Sequence, residues 1–319
     1  MTTLEHTHNS FDLVVLGSGA GGFAAAATAA RRGLKVLVVE KAERFGGTSA
    51  ISGGAVWLYG TDQARDAGAK DSPEAMRTYL KQVIGDGYDP ALGDAFIEHG
   101  HQALRWLEQN TELRYALRPL SPDYYPDAPG ATQFGRALEM VEYDGKHLGT
   151  RFKDLQMPPP GMLLFGGMMV NRVDIQHFLS IRRSPKSLWH CLKLMARYAR
   201  DRLQHPRGTR LTTGNALIAR LATSAFAHGT QLWLRSEAVE LIAEHGVITG
   251  VVVQREGRRE RVMARGGVVC AMGGFAAGAM AAGYRPAQKA PHLTMSPPAN
   301  DGAAPVSYTH LTLPTIYSV

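Results

Sequence analysis

Cysteine is almost missing: Cys191 and Cys270 are the only two in 319 residues. They match no metal-binding or redox spacing, which argues against a disulfide framework, a zinc module and a thioredoxin-type centre. Cys270 lies in the apolar run 267–271 and reads as a small buried hydrophobe. A chain without disulfides fits a reducing compartment. No apolar run approaches the roughly 18 residues that a membrane span needs. The polar opening, residues 1–10, lacks the apolar core of a signal peptide and is expected to be disordered. Together these absences predict a soluble, cytoplasmic protein. No internal repeat is visible at a period of roughly 20–50 residues.

Charge of one sign is short as well: 28 acidic residues face 35 Lys and Arg, for a net charge of +7. Much of the excess lies between Arg182 and Arg210, with no nucleic-acid motif beside it, so no nucleic-acid partner is expected. Residues 187–203 read as a helix with Leu188, Leu192, Met195, Ala199 and Leu203 on one apolar stripe. That stripe predicts a surface helix packed on its own domain. Weak association with an anionic membrane surface is the other reading of a basic amphipathic helix.

Glycine is abundant, with 35 residues in a chain that is 45% hydrophobic, which points to tight turns rather than disorder. Phe11–Leu16 reads as a buried parallel strand, and an Ala-rich helix follows from about Gly21 to Arg32. Gly33 stops that helix, and Leu34–Glu40 reads as a second strand. Between strand and helix stands Gly17-Ser-Gly-Ala-Gly-Gly22, a G-x-G-x-x-G turn, and Glu40 ends the next strand. In this context the turn is a dinucleotide fingerprint. Gly17 permits the turn, Gly19 lets backbone approach a pyrophosphate, and Gly22 lets helix and strand pack closely. The helix N-terminus offers free N–H groups to phosphate, and Glu40 can accept from ribose hydroxyls.

Further along, residues 72–110 read as helices capped at Asp71 or Ser72, and residues 119–170 as an irregular Pro- and Gly-rich stretch. Another helix is expected over 214–227. Five strand-like runs follow, 231–235, 238–243, 247–254, 260–264 and 267–271, and predict an antiparallel meander returning to the main sheet.

Lys41–Gly54 places two glycine pairs, Gly46–Gly47 and Gly53–Gly54, with the hydroxyls of Thr48, Ser49 and Ser52 just after the second strand. Gly46–Gly54, followed by Trp57, resembles the flavoproteins of the fumarate reductase/succinate dehydrogenase superfamily, and within it the 3-ketosteroid dehydrogenase branch. Arg207–Leu217, Val268–Phe275 and Ala299–Gly302 agree, so the resemblance runs over roughly residues 11–305. It implies an α/β fold: a Rossmann-like FAD-binding domain over 11–276, with a central parallel sheet, an antiparallel meander and an irregular, helical insert at about 119–205. Residues 277–306 would begin a truncated cap domain. The tail 307–319 resembles translated sequencing adapter and is expected to be non-native.

By the same resemblance the cofactor is FAD. The residues implied to hold it are Gly17, Gly19, Ala20, Gly21, Gly22, Glu40, Lys41, Gly46, Gly47, Thr48, Ser49, Ser52, Gly53, Gly54, Ala238, Val239, Ala271, Gly273, Gly274, Asp301 and Gly302. Some relatives tether flavin through a histidine in the segment matching 41–60; none occurs there, so binding is expected to be non-covalent. The implied reaction removes two adjacent hydrogens beside a ketone, one as a proton to a tyrosinate-like base and one as hydride to flavin N5. In Pro122-Asp-Tyr-Tyr-Pro126, Tyr125 is the first candidate for an active-site tyrosine and Tyr124 the second. The implied partners are a lipophilic small molecule and an electron acceptor. Two departures, Tyr59 where the branch often has Pro and the unmatched insert at about 144–186, bear on the substrate. A fumarate-reductase-like reduction of a small unsaturated acid stays open, as does an FAD-binding fragment without turnover.

Overall fold

A computed structural model describes residues 5–284 and 293–302, with side chains from residue 9 onward. Its centre is a four-stranded parallel sheet, and the run of buried β-branched residues explains it. β1 (Glu5–Phe11) enters within the stretch expected to be disordered and belongs to a second sheet. β2 (Leu13–Leu16) and β3 (Val36–Val39) pair in parallel, Val14 opposite Leu37 and Leu16 opposite Val39. All four residues of β3 are buried, as expected for a strand covered on both faces.

α1 (Ala20–Arg31) crosses between them. Its alanines favour helix and let it lie close to its neighbours, with Phe23, Ala26, Ala27 and Ala30 in the core. The short α2 (Gly47–Ile51) follows β3. β4 (Val56–Trp57), α3 (Asp62–Asp66), α4 (Pro73–Ile84) and α5 (Pro90–Asn110) come next. Ser72 and Asp89 cap α4 and α5 with their side chains, and a proline opens each helix.

The stretch expected to be irregular holds more pairing than its composition suggests. β5 (Tyr115–Leu117), β6 (Ala137–Met140) and β4 form a three-stranded antiparallel sheet. β7 (Tyr143–Asp144) is followed by 3-10 turns over Gly145–Asp154. β8 (Leu163–Leu164) and β9 (Met168–Met169) make a two-stranded ribbon. Strands this short give no readable alternation.

α6 (Arg172–Leu179) and α7 (Pro185–Arg202) pack on one another. α7 lies where the periodicity places it but is rolled the other way. Ser187, Cys191 and Asp201 are its buried residues. Leu188, Leu192, Met195 and Leu203 are 44, 47, 40 and 83% exposed, and Ala199 is exposed too, so the apolar stripe faces outward. The inward face is held by polar partners that periodicity cannot register. Asp201 accepts from the Thr209 amide and hydroxyl at 2.9 and 2.8 Å.

β10 (Arg210–Leu211) pairs with β7 and leads into α8 (Thr213–Ala227), most of which is buried against α1 and α2. Phe23, Phe45 and Phe226 join these elements as a set of edge-on rings 5.6 to 6.2 Å apart.

The last strands divide between two sheets. β11 (Gln231–Trp233) is not part of the meander: it pairs in parallel with β3. β12 (Ser236–Glu244), β13 (Val247–Arg255) and β14 (Arg258–Ala264) form the antiparallel meander, with β1 added in parallel to β14. β15 (Val268–Cys270) returns to the central sheet beside β2, completing the order β11-β3-β2-β15. Cys270 is only half-buried there, and the two cysteines form no disulfide. Among the described residues, no helix is long and apolar enough to cross a membrane. The tail 307–319 lies outside the described residues, and so does part of the expected cap segment.

Candidate cofactor and active site

The carboxyl ends of the central strands meet the glycine turn, and backbone hydrogen bonds fix the meeting. Gly17 N–H donates to Val39 O at 2.8 Å, Ala271 N–H to Leu16 O at 2.8 Å, and Glu40 N–H to Trp233 O at 2.8 Å. All four strands of the sheet therefore end on one structure. Gly17 has φ +96°, and a Cβ there would lie 2.3 Å from Ala271 O. A Cβ on Gly22 would lie 2.0 Å from Gly17 O. These two glycines are required by close backbone approach, as the fingerprint predicts.

Above the turn opens a cleft of about 650 Å³. Of the expected cofactor residues, Gly17, Gly19, Ala20, Gly21, Glu40, Gly47, Thr48, Ser49, Ala271, Gly273 and Gly274 line it. Lys41 and Ala238 line a small adjoining cavity of about 50 Å³ that shares Gly17, Glu40, Met272 and Ala299 with the cleft. Lys41 is ion-paired with Asp301.

Other expected residues support the cleft from behind. Gly22 holds α1 against the turn. Gly46, with φ +116°, precedes α2 and lies against Ala50 and Ile218. Ser52 donates its hydroxyl to Ser49 O at 2.8 Å, and Gly53 is exposed. Gly54, with φ +64°, would place a Cβ 2.4 Å from the Thr213 carbonyl carbon, so it lets the α2 loop sit against the start of α8. Gly302 is buried near Phe275 and Met280. Val239 is 42% exposed and lies among the lining residues of neither cavity.

Glu40 is 8% exposed and already engaged. Its Oε2 accepts from the Ser18 amide at 3.1 Å and from the Ser18 hydroxyl, and its Oε1 accepts from the Ala42 amide at 2.9 Å. Ser18 Oγ accepts in turn from the Gly46 amide at 2.9 Å. Glu40 thus fastens the glycine turn to the α2 segment; Oε2 is filled by its two donors, and Oε1 keeps lone-pair capacity for one further donor. Ser49 Oγ accepts from the Ala20 amide at 3.1 Å, so a residue 29 positions away caps the N-terminus of α1.

Reading the sequence missed Ser18, Ala42, Arg44, Gln156, Cys270, Met272, Pro297, Ala299 and Asn300 at the cleft. Ser18 fills a position that the fingerprint leaves free. Among the described residues, Arg44 is the one cation lining the cleft, and its Nη1 donates to Lys153 O at 3.0 Å. Gln156 comes from the irregular stretch and carries no periodic signal. Pro297, Ala299 and Asn300 belong to the stretch expected to open the cap, which here closes over the cleft through Ala277 N–H to Asn300 O at 2.9 Å.

Tyr124 and Tyr125 stand apart from this cleft's lining, on the 121–132 loop, 99 and 61% exposed. The Tyr125 amide donates to Tyr79 Oη at 3.3 Å.

A glycine-tight turn at strand ends, helix amides, one arginine and an open cleft suit an anionic dinucleotide. A family model described as FAD binding domain matches residues 12–307. The chain belongs to the FAD binding domain family. Its cofactor is FAD. The chain is 34% identical over 276 residues to a 3-oxosteroid 1-dehydrogenase of Mycobacterium tuberculosis, covering 84% of this chain and 48% of the relative. It is 35% identical over 278 residues to a 4-oxocyclohex-2-ene-1-carboxylate 5-dehydrogenase of Sinomonas cyclohexanicum, covering 85 and 47%.

Among solved structures it resembles the 3-ketosteroid delta1-dehydrogenase of Sterolibacterium denitrificans in complex with 1,4-androstadiene-3,17-dione. The TM-score is 0.85 at 33% identity, over 95% of this chain and 55% of that one. The chain spans about half the length of the curated relatives it matches.

Proposed function

We propose that the chain serves an FAD-dependent dehydrogenase that introduces a double bond beside the carbonyl of a ketosteroid-like cyclic ketone. The observation that supports it most is the cleft at the strand ends, together with relatives whose activities are named on cyclic ketones. Bound FAD supplies the hydride acceptor for such a reaction. The chain's own work is to hold and to polarise. Ser18, Glu40 and Ser49 keep the turn and the first turn of α1 rigid, and Arg44 with the α1 amides offsets phosphate charge. In this reading Tyr125, with Tyr124 as the alternative, would serve the proton transfer by hydrogen-bonding to, and acidifying, a catalytic partner. The same relatives favour this reading over reduction of a small unsaturated acid.

FAD would be held without a covalent bond, since no histidine occurs in residues 41–60 and none of the described residues lining the cleft is a histidine. Turnover would need an electron acceptor from outside the chain. Two cysteines with no disulfide between them fit a cytoplasmic setting. The test is direct. The purified protein should be yellow, release its flavin on denaturation, and reduce an artificial acceptor with a 3-ketosteroid. Colourless protein without nucleotide affinity sinks the cofactor reading. Yellow protein without turnover supports the alternative of an FAD-binding module alone, which the openness of Tyr124 and Tyr125 also favours.

The outward stripe on α7 supports weak docking on an anionic lipid surface. Trp189 is 62% exposed beside Leu188 and Leu192, and Lys193, Arg200 and Arg202 are exposed on the same helix. Apolar insertion flanked by cations is the pattern of an interfacial helix. Sedimentation with phosphatidylglycerol vesicles, but not phosphatidylcholine vesicles, is expected, and Trp189→Ser should weaken it. Equal behaviour with both vesicle types removes this reading.

A further inference from the structure

Beneath the loop that carries Tyr124 and Tyr125 lies a buried guanidinium. Arg136 and Asp123 have side chains 1% exposed, and Asp71 is 9% exposed. Arg136 grips Asp71 with two parallel bonds, Nε to Oδ2 at 2.7 Å and Nη2 to Oδ1 at 2.8 Å. Its Nη1 donates to Asp123 Oδ2 at 2.8 Å, and Nη2 also reaches Gly130 O at 2.9 Å. The guanidinium carbon lies 5.6 Å from the centre of the Trp57 ring and 5.5 Å from that of Tyr79.

Asp123 is satisfied from several sides. Trp57 Nε1 donates to Oδ1 at 2.7 Å and the Thr132 amide to Oδ2 at 2.9 Å, while the Asp123 amide donates to Thr132 O at 3.0 Å. The loop is thus pinned at Asp123, at Gly130 and at Thr132. Tyr79, which flanks the guanidinium, also accepts from the Tyr125 amide. The two tyrosines leave the clamp at its next two positions.

Burying one cation with two carboxylates is expensive, and apolar residues of equal volume often serve stability as well. What such a network adds is geometric: four directed bonds with one solution. A reacting group displaced by about 1 Å can lose about a hundredfold in rate, so a loop that presents one must be held.

We infer that Arg136, Asp123 and Trp57 are positioning residues that fix Tyr125 for proton transfer, an inference that rests on the dehydrogenase reading. Arg136 is not among the residues lining the cofactor cleft, and its bonds to Asp123 and Gly130 carry its effect through the loop backbone. Trp57, which looked like a family marker in the sequence, acts here by its N–H.

The test uses the FAD-loaded protein labelled with 3-fluorotyrosine, with the Tyr125 fluorine line assigned by Tyr125→Phe. A single Tyr125 line is expected in the parent, displaced or broadened in Arg136→Lys and in Trp57→Phe. Trp57→Phe keeps a ring at the site and covers the case in which Arg136→Lys fails to fold. An unmoved line in folded variants overturns the inference, whether or not the protein turns over.

Kinetics with a 3-ketosteroid supply the second arm. Tyr125→Phe should lower kcat at least about a hundredfold. Trp57→Phe and Arg136→Lys should lower kcat about tenfold or more, leave KM within about threefold, and shift the basic limb of the pH profile, with FAD content intact. If Tyr125→Phe keeps the parental rate, the role of Tyr125 falls and this inference falls with it. If Tyr125→Phe loses the rate while the clamp variants keep rate and profile, the clamp alone is refuted.

Discussion

The Glu40 carboxylate accepts from both the backbone amide and the hydroxyl of Ser18, so the end of β3 holds the glycine turn directly. Removing the side chain leaves a buried amide and a buried hydroxyl without a partner. Each buried group left unsatisfied costs about 1–3 kcal/mol. Glu40→Ala should therefore lower both the denaturation midpoint and the FAD content. Isothermal titration of FAD into the deflavinated protein is the measurement, and an affinity equal to the parent's contradicts the arrangement.

Gly17 and Gly22 are predicted to tolerate no side chain. Gly17→Ala would set a methyl 2.3 Å from Ala271 O at φ +96°, and Gly22→Ala one 2.0 Å from Gly17 O. Backbone strain of this kind costs about 1–3 kcal/mol before the clash is added. Both variants should lose bound flavin, seen as loss of visible absorbance. Gly53→Ala is the control: a Cβ at exposed Gly53 meets nothing within 4 Å, and flavin should be retained.

Arg44 is the one cation lining the cleft among the described residues, and its replacement should be read through salt. A hydrogen bond to a charged group contributes about 1.5–3 kcal/mol. Arg44→Ala is expected to weaken FAD about tenfold at low ionic strength, which corresponds to about 1.4 kcal/mol. The salt dependence of the affinity should flatten at the same time. Parental affinity at every salt concentration would place the phosphates elsewhere.

Acid should loosen the α6–α7 region. Burial raises the Asp174 carboxyl, but the Asn171 amide, His190 and Arg210 outweigh it and hold it below its ordinary 3.8. Asp201 behaves likewise: burial raises it, and Thr209 and Lys146 more than compensate. Both groups are depressed in the folded state, so the unfolded chain binds more protons just below the ordinary value. Their stabilisation is present above about 3.8 and drains away as the pH falls through the lower folded values. Urea midpoints between pH 5 and pH 3 should fall more steeply in the parent than in Asp201→Asn. Equal slopes refute the assignment.

The central sheet and the turn were readable because they rest on local signals: apolar runs of strand length, and glycines at backbone positions that admit nothing larger. The meander was read one strand too long, since Gln231–Trp233 looks like its neighbours although it pairs with β3. Only sheet order distinguishes the two. α7 was placed correctly in sequence and turned the wrong way in space. Apolar periodicity assumes that an apolar face is the buried one, whereas α7 buries Ser187 and Asp201 through hydrogen bonds. At the cleft, the fingerprint glycines and Ser49 were readable. Ser18, Arg44 and Gln156 were not, because contacts between remote segments select them.

Glycine 17 also dictates when the nucleotide cradle can exist. A Cβ on it would meet the carbonyl of Ala271, and residues 271–274 furnish one wall. A nascent chain that has emerged as far as α8 therefore owns the fingerprint but has no finished pocket. The cofactor's full set of contacts exists only after β15 is delivered from the ribosome, some 250 residues behind the turn it completes. Until then the first βαβ unit rests on its own hydrophobic contacts, and the cleft lacks the wall that residues 271–274 supply.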